Sequence, residues 1–499
     1  MISAVVVNLP VVEATTGGAR VAFEVPVTPM DLIKKPANNS PMLAVDPTNS
    51  RFVALANRLD GPDFSCALQV SGNGGRGWAS ARPVPKLPRG AEKCYAPEVA
   101  FDGDGVLYYL FVGLHGGGNA PMGAFLTTSS DRARTFTPPR RILGAERYMV
   151  RMAIDSARGS RGRIHFVWLE AVGGGPSSGL PPQHNPIMAA YSDDGGETFS
   201  APVKVSDPGR ERVVAPALAL GSDGAVHVAY YDLGDDERDY RGLEGPTWDD
   251  TWSLVATSSK DDGDHFGPGV VVDAELVPPE RVMLIYTMPP PALIADARGR
   301  LYVAWYDARN GDWDVFVRRS DNGGQTWAGR RRVNDDRVRN GRHQYLPRLA
   351  VSHGGRLDVV FYDRRRNAEN RGNDVFLASS TDGGRGFSPN LKLTSLDSDS
   401  RIGPRYLVPS ARGLVEFGSR LALVSSRHSA LVAWADTRNN GRSFKAQDIF
   451  AARAEMGQSD GGAGAGLAAG GLAVTGFTLA VALRSHRRRR TRRVRSRAI

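Results

Sequence analysis

One octapeptide, Ser-x-Asp/Asn-x-Gly-x-x-aromatic, occurs six times in this chain of 499 residues and constrains its fold more than any other feature. The copies begin at Ser71, Ser129, Ser192, Ser259, Ser320 and Ser380, at intervals of 58, 63, 67, 61 and 60 residues. Self-similarity at a fixed period is the mark of an array built from one supersecondary unit. Each position has a physical task. The Asp or Asn accepts hydrogen bonds from its own turn, and the glycine supplies the positive φ of a tight hairpin. The aromatic is expected to open the next strand and pack back over the turn. Only the second copy, SSDRARTF, replaces the glycine, with Ala133.

A second periodic signal runs in step with the first. Segments of the type Pro-x-Leu-Ala-Val-Asp start at Pro41, Pro97, Pro216, Pro291 and Pro347, each followed by a polar turn and an aromatic-rich strand. Arg151 opens a version without the proline, and SRLALVSSRHSALVAWAD from Ser419 aligns with PRLAVSHGGRLDVVFYD from Pro347. Seven inner-strand pairs therefore face six turns. The mismatch resolves if the seventh unit ends near Arg453 and the alternating segment RVAFEVPV, from Arg20, supplies its last strand, which closes the ring without a long free edge. The fold class expected is all-β: a β-propeller of four-stranded blades, seven in number, or six if the divergent last unit is a cap.

The turns SDDGGETF, SDNGGQTW and STDGGRGF resemble the Asp-box, or BNR, repeat of sialidase-like proteins, over roughly residues 41 to 453. That resemblance implies a propeller fold and an exo-glycosidase of sialidase type acting on terminal acidic sugars; the alternative is a non-catalytic propeller that binds glycan or protein at a cell surface. It also implies three arginines on a substrate carboxylate, a tyrosine nucleophile activated by a glutamate, and an aspartic acid at the leaving group. Loops rich in Tyr and Arg lead into the inner strands: ERYMVR from Glu146, RHQYLPR from Arg342 and RIGPRYLV from Arg401. On this pattern Tyr406 is the candidate nucleophile, Asp60 or Asp63 the acid, and Glu146 or Glu280 the activating carboxylate. Arg151, Arg348 and Arg405, with Tyr345 and Tyr286, are the candidate sugar-binding residues. The first inner strand, NSPMLAVD, carries no arginine where the family has one. No cofactor and no metal site are expected; the expected partner is a carbohydrate or glycoconjugate.

Repetition separates scaffold from chemistry elsewhere. Asp307-x-Arg309, Asp363-x-Arg365 and Asp436-x-Arg438 end the second strands of three consecutive units, so they are expected to tie loops by charge-assisted hydrogen bonds.

The chain holds 63 Lys and Arg against 53 Asp and Glu, but nine arginines lie between Arg484 and Arg497. Without that tail the balance is nearly neutral, which gives no support for nucleic-acid binding. The expected organisation is an N-terminal segment 1–19, a propeller over 20–455, a linker 456–460, a transmembrane helix 461–483 and a basic cytoplasmic tail 484–499; the reading favoured for the N-terminal segment is a start assigned too late, the alternative a cytoplasmic propeller. The uncharged stretch 461–483 is long enough to span a bilayer, and the arginines behind it place the propeller outside the cell. The string LAVTG at Leu472 also resembles a sortase-type sorting signal. The expected location is therefore the cell membrane, single-pass, of a bacterial cell. Residues 1–12 show no export signal of their own. Cys66 and Cys94 leave two readings open, a staple between neighbouring blades or two buried thiols.

Overall fold

The computed structural model describes residues 18–457 except 29–36, 62, 80–81, 84–86, 117–118, 156–161, 173–183, 238–248, 279–287, 403–416 and 440–445. The chain divides into two units, Met1–Gln458 and Ser459–Ile499, and all described residues belong to the first. The segment 461–483 expected to span a membrane lies outside the described residues. Among those described, no helix is long and apolar enough to cross a bilayer.

Seven antiparallel sheets follow one another along the chain. The inner strands of blades 1 to 6 are Asn38–Val45, Lys93–Phe101, Arg147–Asp155, Val213–Leu220, Ala292–Ala295 and Gln344–Val351. In blade 7 the order runs Ala422–Ser425, Ser429–Asp436, Asp448–Glu455 and then Arg20–Pro26, so the first strand of the chain completes the last sheet, as expected from seven inner-strand pairs against six turns. Each inner strand touches the next around the circle, and Ala422–Ser425 meets Asn38–Val45, which closes a seven-bladed propeller.

The six octapeptides form identical turns between third and fourth strands. In each, the Ser hydroxyl donates to the Asp or Asn carboxyl or amide oxygen two residues on and accepts the N–H four residues on, as in Ser192 with Asp194 and Gly196, both at 2.8 Å. The same pair of bonds recurs from Ser71, Ser129, Ser259, Ser320 and Ser380. The aromatic does not open the fourth strand as expected. The residue after it still bonds back to the third strand, as Ser200 N–H does to Tyr191 O, and the fourth strand starts later, at Val203 in blade 3. The ring instead packs inward, Phe199 on Phe166 and Phe136 on Tyr109.

Neighbouring blades are tied through these same turns. Arg453 donates to Gly74 O, Arg140 to Gly196 O, Arg163 to Asp262 O, Ser258 to Gly323 O and Arg319 to Gly383 O, at 2.6 to 3.2 Å. The Asp-x-Arg elements act as expected: Arg309, Arg365 and Arg438 each fold back on their own aspartate and reach Asp273, Asp335 and Glu24 respectively. Cys66 and Cys94 are joined in a disulfide that links the third strand of blade 1 to the inner strand of blade 2.

Candidate anion site at the propeller axis

The inner strands share a distortion that positions the site. In blades 1, 2, 3, 4 and 6 the register slips near the start of the strand, and the slip contains a residue with positive φ: Ser40, Ala96, Met149, Ala215 and Leu346, at 48 to 56°. Gly418, at φ 87°, takes the same place ahead of the inner strand of blade 7. In blade 5 Pro290 stands there, and proline cannot adopt positive φ. Such bulges re-aim the side chains that follow them. The residue two positions on is Met42, Glu98, Arg151, Ala217, Ala292, Arg348 or Arg420 in blades 1 to 7. One equivalent position around the circle thus carries three guanidinium groups and one carboxylate.

Those four charges converge in the space enclosed by the inner strands. Glu98, 2% exposed, accepts Arg151 Nη1 and Arg420 Nη1 on Oε1, both at 2.9 Å, and the backbone N–H of Met152 on Oε2 at 2.9 Å. Arg420 also donates to Pro97 O at 2.5 Å, so it crosses from blade 7 past blade 1 to blade 2. Arg151 Nε reaches Pro216 O in blade 4 at 3.4 Å. Arg348 lies within the field of Glu98 and Arg151, is half-buried, and donates no hydrogen bond to any described residue. Arg420 Nε is buried without an acceptor among the described residues.

Three positive charges and one negative leave the cluster with an excess of two. Burial, more than any neighbour, lowers Arg348 below its ordinary value; Arg151 adds to that, and Glu98 opposes it. Arg420 is pushed down to about 10, by burial first and then by Arg151 and Arg348 against Glu98. A desolvated cationic excess whose N–H donors are not all matched among the described residues is chemically suited to an anion, and guanidinium forks suit carboxylate, sulfate or phosphate oxygens.

The sequence-derived candidates are distributed as follows. Arg151 and Arg348 come together here. Arg405, Tyr406, Glu280 and Tyr286 lie outside the described residues. Asp60 is buried in an ion pair with Arg58 at 2.6 Å, and also accepts Asn39 Nδ2 at 2.8 Å, while Arg58 donates to Tyr95 OH at 2.6 Å. Asp63 is exposed, 3.8 Å from Lys93 Nζ. Glu146 accepts the hydroxyl of Tyr148 at 2.5 Å, next to the ion pair of Arg147 with Glu170. Tyr345 is turned into the core rather than toward a ligand: it stacks on Tyr362, donates to Asn373 Oδ1 at 2.9 Å and accepts Arg364 Nη2 at 3.3 Å. Its phenol is raised by burial.

Two residues of the cluster, Glu98 and Arg420, escaped the sequence reading. Their signal was present, because PEVAFD and SRLALV place them in the column of Arg348 in PRLAVS. Among the described residues no group of His, Cys, Asp and Glu side chains is arranged to hold a metal ion.

A family profile described as a BNR repeat-like domain matches residues 186–457. No curated protein matches the chain. Among solved structures, a protein of unknown function from Dyadobacter fermentans is similar at 12% identity and a TM-score of 0.49, over 88% of this chain and 99% of that one. An ulvan lyase is similar at 13% identity and a TM-score of 0.46, over 85% and 92%. A Hadza microbial sialidase is similar at 15% identity and a TM-score of 0.45, over 81% and 74%.

Proposed function

The chain belongs to the BNR repeat-like domain family, and on that premise we propose that it is a carbohydrate-active propeller that seats the acid group of an acidic sugar at its axis. The observation that carries this reading is the cluster of Arg151, Arg348 and Arg420 about a single carboxylate, with Arg348 donating to none of the described residues. A carboxylate bound there offsets the desolvated positive excess, and a charge-assisted pair of this kind contributes about 1.5–3 kcal/mol.

In its enzymatic form the proposal is a glycoside hydrolase of exo-sialidase type that removes terminal acidic sugars from glycoconjugates. The domain acts outside the cell, held at the membrane through residues 461–483. The disulfide of Cys66 with Cys94 supports an oxidising compartment. A second reading, in which the propeller binds acidic glycans without turnover, is favoured by Asp60, whose carboxylate is committed to Arg58 and Asn39 in a buried network.

Hydrolysis of a fluorogenic α-sialoside and binding of free sialic acid by the purified full chain separate the two. Arg348→Ala is expected to weaken binding by about 10-fold or more, as loss of one charge-assisted contact predicts. Binding without hydrolysis decides for the second reading. A folded protein that binds no acidic sugar overturns both.

A further inference from the structure

Glu98 is the one acidic group at the ring position, and it is not free to leave. Its two oxygens take three hydrogen bonds, from Arg151, Arg420 and the Met152 backbone N–H, and its side chain is nearly inaccessible. A carboxylate held this way occupies, from within the protein, the place between Arg151 and Arg420 that an incoming anion would otherwise take. Arg348, at the same ring position in blade 6 and within the field of Glu98 and Arg151, donates to none of the described residues.

We propose that Glu98 is a specificity-determining residue, a built-in counterion that locks Arg151 and Arg420 and reduces the axial seat to one anionic group bound on Arg348. This rests on the acid-seat reading above and deepens it. Two consequences follow from the arithmetic of charge. The seat presents an excess of two positive charges rather than three, so its attraction for anions is held below what the arginines alone would give. A ligand with two adjacent acid groups gains little over one with a single group, because the second finds its arginines already paired.

The neighbouring ring positions supply controls. Met42 holds the same ring position in blade 1, between blades 7 and 2, where it packs against the apolar cluster of Ala54, Cys94 and Val99, and Ala217 follows Pro216, whose carbonyl Arg151 touches. A carboxylate introduced at Met42, unable to stay against that apolar cluster without cost, would add a second counterion on the ring while leaving all four charged residues in place.

The test uses the full chain and inorganic sulfate as the probe, with titration calorimetry at low ionic strength and a melting curve for every variant. Glu98→Gln keeps the shape and removes the charge; it is expected to bind sulfate at least 10-fold more tightly than the parent. Glu98→Asp keeps the charge and is expected to stay within about threefold. Met42→Glu is expected to weaken binding at least 10-fold, and it carries the test if Glu98→Gln fails to fold. Sulfate affinity unchanged or weaker in folded Glu98→Gln, or unchanged in folded Met42→Glu, overturns the proposal. A parent protein that binds sulfate through Arg348 but no acidic sugar leaves the counterion role standing and removes the sugar reading. No sulfate binding by any variant removes the counterion role itself.

Discussion

At the scale of single residues, two histidines, His227 and His343, are packed where neighbouring blades meet. His227, 4% exposed, lies beside Ser258, with Nδ1 2.7 Å from its hydroxyl, and Ser258 in turn donates to Gly323 O in blade 5. Burial lowers His227 from 6.5 to about 4, against a smaller opposing pull from Asp223. The folded state therefore prefers the neutral ring. Since its folded value lies below the unfolded one, the stability involved is complete above about pH 6.5 and is lost as pH falls toward 4, at most about 3 kcal/mol for a shift of this size. His343, half-buried and stacked on Trp313, is lowered to the same extent and acts in the same direction. His227→Gln removes one of the two contributions. Its melting temperature is expected to fall less between pH 7 and pH 4.5 than that of the parent; equal falls would mean that His227 takes no part in the acid response.

At the scale of the element, the octapeptide turn shows why glycine is required in five copies and dispensable in one. Gly75, Gly196, Gly263, Gly324 and Gly384 sit at φ 79 to 97°, whereas Ala133 sits at 61°, within the left-handed region that an L-residue tolerates. A Cβ on Gly196 would also stand 2.6 Å from Leu126 of the preceding blade. Gly196→Ala is therefore expected to lower stability by more than the ~1–2 kcal/mol of the left-handed conformation alone. Ser192→Ala, which leaves the buried Gly196 N–H without its acceptor, is expected to cost about 1–3 kcal/mol. Denaturant titrations of both variants check this, and a variant as stable as the parent would show that the turn follows the sheet rather than fixing it. The turns were legible because hydrogen bonding and positive φ each demand particular residues at fixed spacing. The bulges were not. Ser40, Ala96, Met149, Ala215 and Leu346 share no side-chain chemistry, so no residue type marks the positive φ that they adopt at the register slip. The aligned segments hold the column of Glu98, Arg151, Arg348 and Arg420, but without the bulge nothing in them says that its side chains converge, and richness in Tyr and Arg draws the eye instead to Tyr345, which is core.

At the scale of the whole molecule, the ring is only as closed as its last seam. Blade 7 takes Arg20–Pro26 onto Asp448–Glu455, with Arg20 on Glu455 at 2.5 Å and Val27 N–H on Ile449 O at 2.7 Å. Glu24 meets Arg438, which is almost wholly buried and shared with Asp436, at 2.6 Å. The closure thus combines a backbone ladder with a desolvated ion pair, and breaking one partner of such a pair leaves an uncompensated charge. It also bears on the axis. Arg420 reaches Glu98 across blade 1, so the spacing of blades 7, 1 and 2 sets whether the two still meet. Removal of residues 1–27 opens the edge of Asp448–Glu455, strips Arg438 of Glu24 and frees blade 7 to shift against blade 1. The truncated chain is expected to melt at least about 5 °C below the parent and to associate at concentrations where the parent is monodisperse, as exposed strand edges do. Light scattering and a melting curve measure both. If the truncated chain melts with the parent and stays dispersed, the first strand is an ornament on blade 7, and the ring closes through its inner strands alone.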